Sequence, residues 1–174
     1  MDNFIPDIYQ KSIYHIDYDK LLDSGIKCIL FDLDNTCAPY KDREANKRLI
    51  ELFEMLKDKG FKLIIFSNAP KKRIAPFKKA LNVDCLASAR KPSKKNFVKI
   101  LKLFNYNLSE VAIVGDQLYK DILGGNRMGI KTILVNPMSM DDMILTKLIF
   151  RLLERRKYKL FEKKGLLKRG KYYE

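Results

Sequence analysis

The ten residues 27–36, KCILFDLDNT, constrain this chain more than any other stretch. Cys28, Ile29, Leu30 and Phe31 form a short apolar run of the kind a strand shows when it is covered on both faces. Two carboxylates, Asp32 and Asp34, and the hydroxyl of Thr36 follow. Along extended backbone, residues two apart project to the same side, so both acids can address one small volume. Like charges held that close repel unless a cation or a shared proton compensates. One Asp behind a strand is a common turn residue. A D-x-D-x-T pattern behind a buried run asks for more than a turn.

The pattern of an apolar run closed by polar residues recurs along the chain. Residues 61–66 (FKLIIF) end at Ser67-Asn68, and 111–114 (VAIV) end at Gly115-Asp116, with Asp121 five residues further. A shorter strand is expected over 84–87, with Lys91 in the loop behind it, and a fifth over 131–135, closed by Pro137. Helical spacing fills the intervals. Ala45, Leu49, Leu52, Phe53 and Leu56 predict a helix over 42–59, capped by Asp42 and ended by Gly60. Further helices are expected over 71–81, 93–104 and 118–128, the last interrupted by glycines. The first 25 residues read as irregular, apart from a short helix over 18–23. Buried strands alternating with helices imply an α/β fold, a doubly wound parallel sheet with helices on both faces. Ligands of such sheets bind beyond the carboxyl ends of the strands. That edge would gather Asp32, Asp34, Thr36, Ser67, Asn68, Lys91, Asp116 and Asp121.

An oxygen-rich set of three acids suits Mg²⁺, a hard cation usually bound by few carboxylates together with water and phosphate. A hydroxyl and a lysine suit a phosphoryl group, whose transfer depends on positioning and charge neutralisation. With DLDNT at 32–36, SN at 67–68, Lys91 before Pro92 and GDQLYKD at 115–121, the chain resembles phosphatases of the haloacid dehalogenase (HAD) superfamily. The resemblance implies a sheet of about five strands in the order fifth, fourth, first, second, third. It implies Asp32 as nucleophile and Asp34 as general acid and base. Mg²⁺ would be held by Asp32, the Asp34 main-chain carbonyl and Asp116, and the phosphoryl group by Ser67, Asn68 and Lys91. Thr36 and Asp121 would stand behind these, Asp121 orienting Lys91 or a metal-bound water. The intervals between motifs hold no room for a cap domain, so an open site is expected. PDIYQKSI before the first strand and VGDQLYKDILGGNRMGIKTILVNP near the end are similar to the YqeG-like group of subclass IIIA, which includes phosphatidylglycerophosphate phosphatases. Cys37-Ala38 departs from that group, where a larger aliphatic residue is expected. The segment CAPYKDR, Cys37 to Arg43, also matches the C-x5-R pattern of cysteine-dependent phosphatases. Its loop lacks glycine and contains Pro39, so it makes a poor cradle of backbone amides for phosphate.

Composition limits the partners. With 174 residues the chain suffices for one domain with a sizeable core plus an appendage. Three separated cysteines and a single His15 support neither a disulfide framework nor a zinc site. The N-terminus does not read as a signal peptide, and no apolar run reaches the roughly 18 residues of a membrane span. A cytoplasmic protein, peripheral on the inner face of the membrane, is expected. The net charge of +14 favours a polyanionic partner. Residues 1–140 are expected to form the phosphatase domain with an N-terminal extension, and 141–174 a basic amphipathic helix and tail. Over 143–153, Ile144, Leu145, Leu148, Ile149, Leu152 and Leu153 share one helical side, with Lys147 and Arg151 opposite. From Lys147 onward, eleven basic residues stand against three acidic ones. Such a helix binds an anionic membrane surface or packs on its own domain, and spacing alone does not choose. The expected activity is Mg²⁺-dependent hydrolysis of a phosphomonoester, with phosphatidylglycerophosphate at a membrane as the foremost substrate. Soluble phosphometabolites, nucleotides or nucleic-acid ends come second, and a non-catalytic RNA- or membrane-binding protein third. The third is disfavoured because every catalytic side chain that the resemblance asks for is present, and nucleic acid is not the expected partner.

Overall fold

The computed structural model describes residues 3–139 and 151–174. Six strands form one sheet: β1 (Ile8–Gln10), β2 (Cys28–Phe31), β3 (Lys62–Phe66), β4 (Asp84–Leu86), β5 (Val111–Gly115) and β6 (Lys131–Val135). Every pairing is parallel, and the order is β1-β6-β5-β2-β3-β4. Without β1 this is the expected five-strand order. The extra edge strand corrects the reading of the first 25 residues as irregular. Tyr9 pairs in parallel with Leu134 on one side and meets Tyr173 in an antiparallel bridge on the other.

Among the described residues, six α-helices cover the sheet. α1 (Tyr18–Asp23), α2 (Lys47–Asp58) and α3 (Lys71–Leu81) pack on the face carrying Ile29, Phe31, Leu63 and Ile65. α4 (Lys94–Phe104) and α5 (Leu123–Met128) pack on the opposite face, which carries Cys28, Leu30, Ile64 and Phe66. Alternate residues of β2 and β3 thus enter different cores, which explains why Cys28–Phe31 and, after Lys62, the rest of β3 are continuously apolar rather than alternating with polar residues. Each fully buried ring, such as Phe53 or Phe97, contributes about 1.5–3 kcal/mol. α2 starts later than expected. Asn46, not Asp42, is its cap, accepting a hydrogen bond from the Leu49 amide at 2.9 Å. α6 (Arg151–Lys163) packs Phe161 against Tyr9, Leu118, Ile122 and Leu134, and Leu167 behind it joins the same cluster. Of the apolar stripe expected over 143–153, Ile144, Leu145, Leu148 and Ile149 lie outside the described residues.

Register positions the functional edge. Phe31 aligns with Ile65 and with Val114, so the residues just beyond β2, β3 and β5 leave the sheet side by side. Only α2 stands between β2 and β3, and only α3, β4, α4 and a single 3-10 turn (Leu108–Glu110) between β3 and β5. No segment there is large enough to form a cap.

Candidate active site

Three strand ends, the loop behind β4 and the turn after β5 bring the acids together with their cations. Asp32 follows β2, is 7% exposed, and its amide donates to the Val114 carbonyl at 2.9 Å. Its Oδ1 accepts from Lys91 Nζ at 2.6 Å, and its Oδ2 lies 3.4 Å from the Thr36 hydroxyl. Thr36 also reaches Asp116 Oδ1, at 3.3 Å. Lys91 is buried and donates a second bond, to Asp121 Oδ1 at 2.7 Å. Asn68 holds the Lys91 backbone on both sides, accepting from its amide at 2.8 Å and donating to its carbonyl at 3.2 Å. Ser67 is buried and its Oγ accepts from the Ala69 amide at 3.2 Å. The carboxylate oxygens of Asp32, Asp116 and Asp121 include a set that lies within 4.8 Å of one another, all three residues being buried.

The two acids of the D-x-D pattern have different surroundings. Asp34 turns to Arg73, whose Nη2 and Nε lie 2.8 and 2.9 Å from its Oδ1. The same guanidinium donates to the carbonyls of Pro39 and Asp42, tying the loop after Asp34 to α3. Burial, and then the Asp32 charge, push the Asp34 carboxyl above the usual carboxylate range, while Arg73 pulls it back. Burial alone would drive Lys91 toward neutrality, but Asp121 and Asp32 outweigh it and hold the ammonium above its ordinary value. Burial likewise raises Asp121, against the pull of Lys91. A buried cation gripped by two carboxylates stays charged.

The segment after β5 folds unexpectedly. In place of a plain helix over 118–128, residues Leu118–Ile122 form a π-helical turn that leads into α5. The Asp121 and Ile122 amides both donate to the Gln117 carbonyl, and Asp121 Oδ2 accepts from the Gln117 amide at 3.1 Å. This wider turn points Asp121 back at Lys91. Such turns are frequent at functional sites.

A cavity of about 550 Å³ opens over the acids, lined by Asp32, Asp34, Ser67 and Asn68 on its chemical side. In the sequence Lys72 and Arg73 stand among the cations that follow Ser67-Asn68, with nothing local to link Arg73 to Asp34, and sequence reasoning missed Arg43, Gln117 and Lys120 in the lining. Arg73 sits one turn into α3, and only the fold shows that this turn faces the end of β2. Cys37 does not serve a C-x5-R nucleophile. It is buried in the core, and burial followed by the Asp32 charge raises its thiol well above the ordinary value.

Acids at the ends of β2 and β5, a hydroxyl behind β3 and a lysine behind β4, on a parallel sheet of this order, are the arrangement of HAD-like hydrolases, and the chain belongs to that family. A HAD-hydrolase-like family model matches residues 88–137. Over 162 residues the chain is 38% identical to "Probable phosphatase YqeG" of Bacillus subtilis (strain 168), covering 93% of this chain and 94% of that one. It is a phosphatase. It is also 27% identical over 150 residues to "Phosphatidylglycerophosphate phosphatase 1, chloroplastic/mitochondrial" of Arabidopsis thaliana, covering 78% of this chain but only 41% of that protein. In fold it is similar to a probable YrbI-family phosphatase from Pseudomonas syringae, with a TM-score of 0.53, 18% identity, and coverage of 68% of this chain and 82% of that one.

Proposed function

We propose that this phosphatase hydrolyses phosphomonoesters through an aspartyl-phosphate on Asp32, with Mg²⁺, and that its natural substrate is phosphatidylglycerophosphate at an anionic membrane surface. The observation that carries the mechanism is the division between the two acids: Asp32 is gripped by the Lys91 ammonium at 2.6 Å, while burial and the Asp32 charge raise the Asp34 carboxyl above the usual carboxylate range. Asp32 attacks phosphorus, and the bond to the leaving alcohol breaks as Asp34 gives that oxygen its proton. Water then attacks the phosphorus of the acyl phosphate with Asp34, now a carboxylate, taking its proton. Phosphate leaves and Asp32 is restored. Ser67, Asn68 and Lys91 bind the transferred group, with Asp121 positioning the Lys91 ammonium.

The buried oxygen donors of Asp32, Asp116 and Asp121 fit a hard divalent cation. Asp32 and Asp116 would hold Mg²⁺ with the main-chain carbonyl of Asp34, and the ion would neutralise charge on the phosphoryl oxygens. The substrate rests on three supports: the absence of a cap between the motifs, the cations at the cavity, and the likeness to an Arabidopsis protein named for phosphatidylglycerophosphate. Asp32→Asn is expected to lower Mg²⁺-dependent release of phosphate from an aryl phosphate by about 10⁴-fold or more. An unchanged rate sinks the mechanism. Phosphatidylglycerophosphate in mixed micelles should be turned over far faster than a panel of soluble phosphates. Preference for a soluble metabolite in that panel overturns the lipid assignment while leaving the phosphatase intact.

A further inference from the structure

The reacting groups account for only part of the cavity. Its volume, about 550 Å³, falls in the class that encloses a whole small ligand, well beyond one phosphoryl group. The buried polar part of the lining is Asp32, Ser67 and Gln117. The exposed part brings Arg43 from the loop before α2 and Lys72 from the first turn of α3, with Lys120 half-buried on the π turn. Tyr40 and Pro76 add apolar surface. Three separate segments therefore deliver cations to one mouth. The transferred phosphoryl group has its own partners in Ser67, Asn68 and Lys91, and Arg73 is engaged by Asp34. Arg43 and Lys72 form no ion pair among the described residues.

A second observation points the same way. Gln117 is 5% exposed and lines this cavity, yet its side-chain oxygen has no hydrogen-bond partner. An unpaired buried amide oxygen costs the fold stability, and such groups in native proteins call for an explanation. A substrate hydroxyl reaching the Gln117 amide as it turns toward the cavity would supply the missing partner.

We infer that the cationic wall is a second anion subsite. It rests on the phosphatase reading above and narrows it: the enzyme selects monoesters whose alcohol portion carries a second anionic group, of phosphodiester class, which is bound and not hydrolysed. Arg43, Lys72 and Lys120 take the diester, for which the planar guanidinium of Arg43 is well shaped. Gln117 takes a hydroxyl of the carbon linker, and Tyr40 and Pro76 flank that linker.

The test uses the full chain with Mg²⁺ and soluble substrates without acyl chains, which separates headgroup recognition from membrane attraction. The substrates are glycerol 3-phosphate, 3-phosphoglycerate and glycerophosphoglycerol phosphate, which carries both a diester and a monoester. The diester compound is expected to exceed glycerol 3-phosphate in kcat/KM by about tenfold or more, mainly through KM. The double variant Arg43→Glu, Lys72→Glu should bring that ratio close to one. Reversing two exposed charges on α4, Lys99→Glu with Lys102→Glu, should preserve it, and thermal melts confirm that both variants fold. A wild-type ratio near one, an equal preference for the carboxylate compound, or the same collapse in the α4 variant each overturns the subsite. In those cases aryl phosphate turnover is retained. Loss of aryl phosphate turnover in the wild type would instead overturn the phosphatase mechanism itself.

Discussion

Asp121 shows how closely one side chain is fitted into this site. A Cβ added at Gly115 would lie 2.1 Å from Asp121 Cγ, so the last residue of β5 must be glycine for the carboxylate to reach Lys91. Gly115→Ala is therefore expected to displace Asp121 and loosen the Lys91 ammonium. A shift of about 1 Å in such a group costs about a hundredfold in rate. The variant's kcat on an aryl phosphate checks this, and a wild-type value would show that Asp121 does not position Lys91. The thiols give a second expectation. Burial pushes the Cys28 thiol up to about 12 and raises Cys37 as well, whereas Cys85 is only half-buried. Because the thiolate is the reactive form, an alkylating agent at about pH 8 should label Cys85 alone in the native enzyme. All three should react after denaturation, and mass spectrometry of the digested protein reads the sites. Rapid native labelling at Cys37 would contradict its place in the core.

Among the elements, α6 does the least expected work. Glu154 is 1% exposed and accepts from the Leu118 amide at 2.6 Å, so the C-terminal helix anchors the π turn that carries Gln117, Lys120 and Asp121. Glu154→Ala leaves that amide without its acceptor, which costs about 1–3 kcal/mol. Thermal unfolding should show a lowered midpoint together with a reduced kcat. A loss of stability with kcat untouched would limit α6 to a packing role. That contact was not legible in the sequence, where Glu154 is one acid in a basic tail. What was legible follows from local periodicity: β3, β5 and β6 are apolar runs closed by polar residues, and their ends hold Ser67, Asn68 and Asp116. What was not legible depends on distant pairing. β1 is three residues long, follows Pro6 and Asp7, and becomes a strand only against β6 and Tyr173. Arg73 looked like one of several solvated lysines and arginines until the fold set it against Asp34, 39 residues earlier.

For the whole molecule the open matter is how a chain of net charge +14 would meet a membrane. Among the described residues no helix is long and apolar enough to cross one. The C-terminal segment spends part of its apolar surface on its own domain, since Phe161 and Leu167 are buried against Tyr9, Ile122 and Leu134. Deleting it would open that core, so truncation confounds binding with unfolding. Its exposed side carries Arg155, Arg156, Lys159 and Lys163, and attraction to anionic lipid is worth about 1 kcal/mol for each such residue near the surface. If α6 meets the membrane through that side, sedimentation with vesicles containing anionic lipid should weaken steeply as salt rises, because screening shortens the reach of each charge. Reversing the four residues to glutamate should then abolish sedimentation while leaving hydrolysis of a soluble aryl phosphate near its wild-type rate. None of the four lines the cavity, which allows binding and catalysis to be separated. Sedimentation that persists in the reversed variant would move the membrane contact away from α6, and equal binding to neutral vesicles would remove the electrostatic explanation altogether.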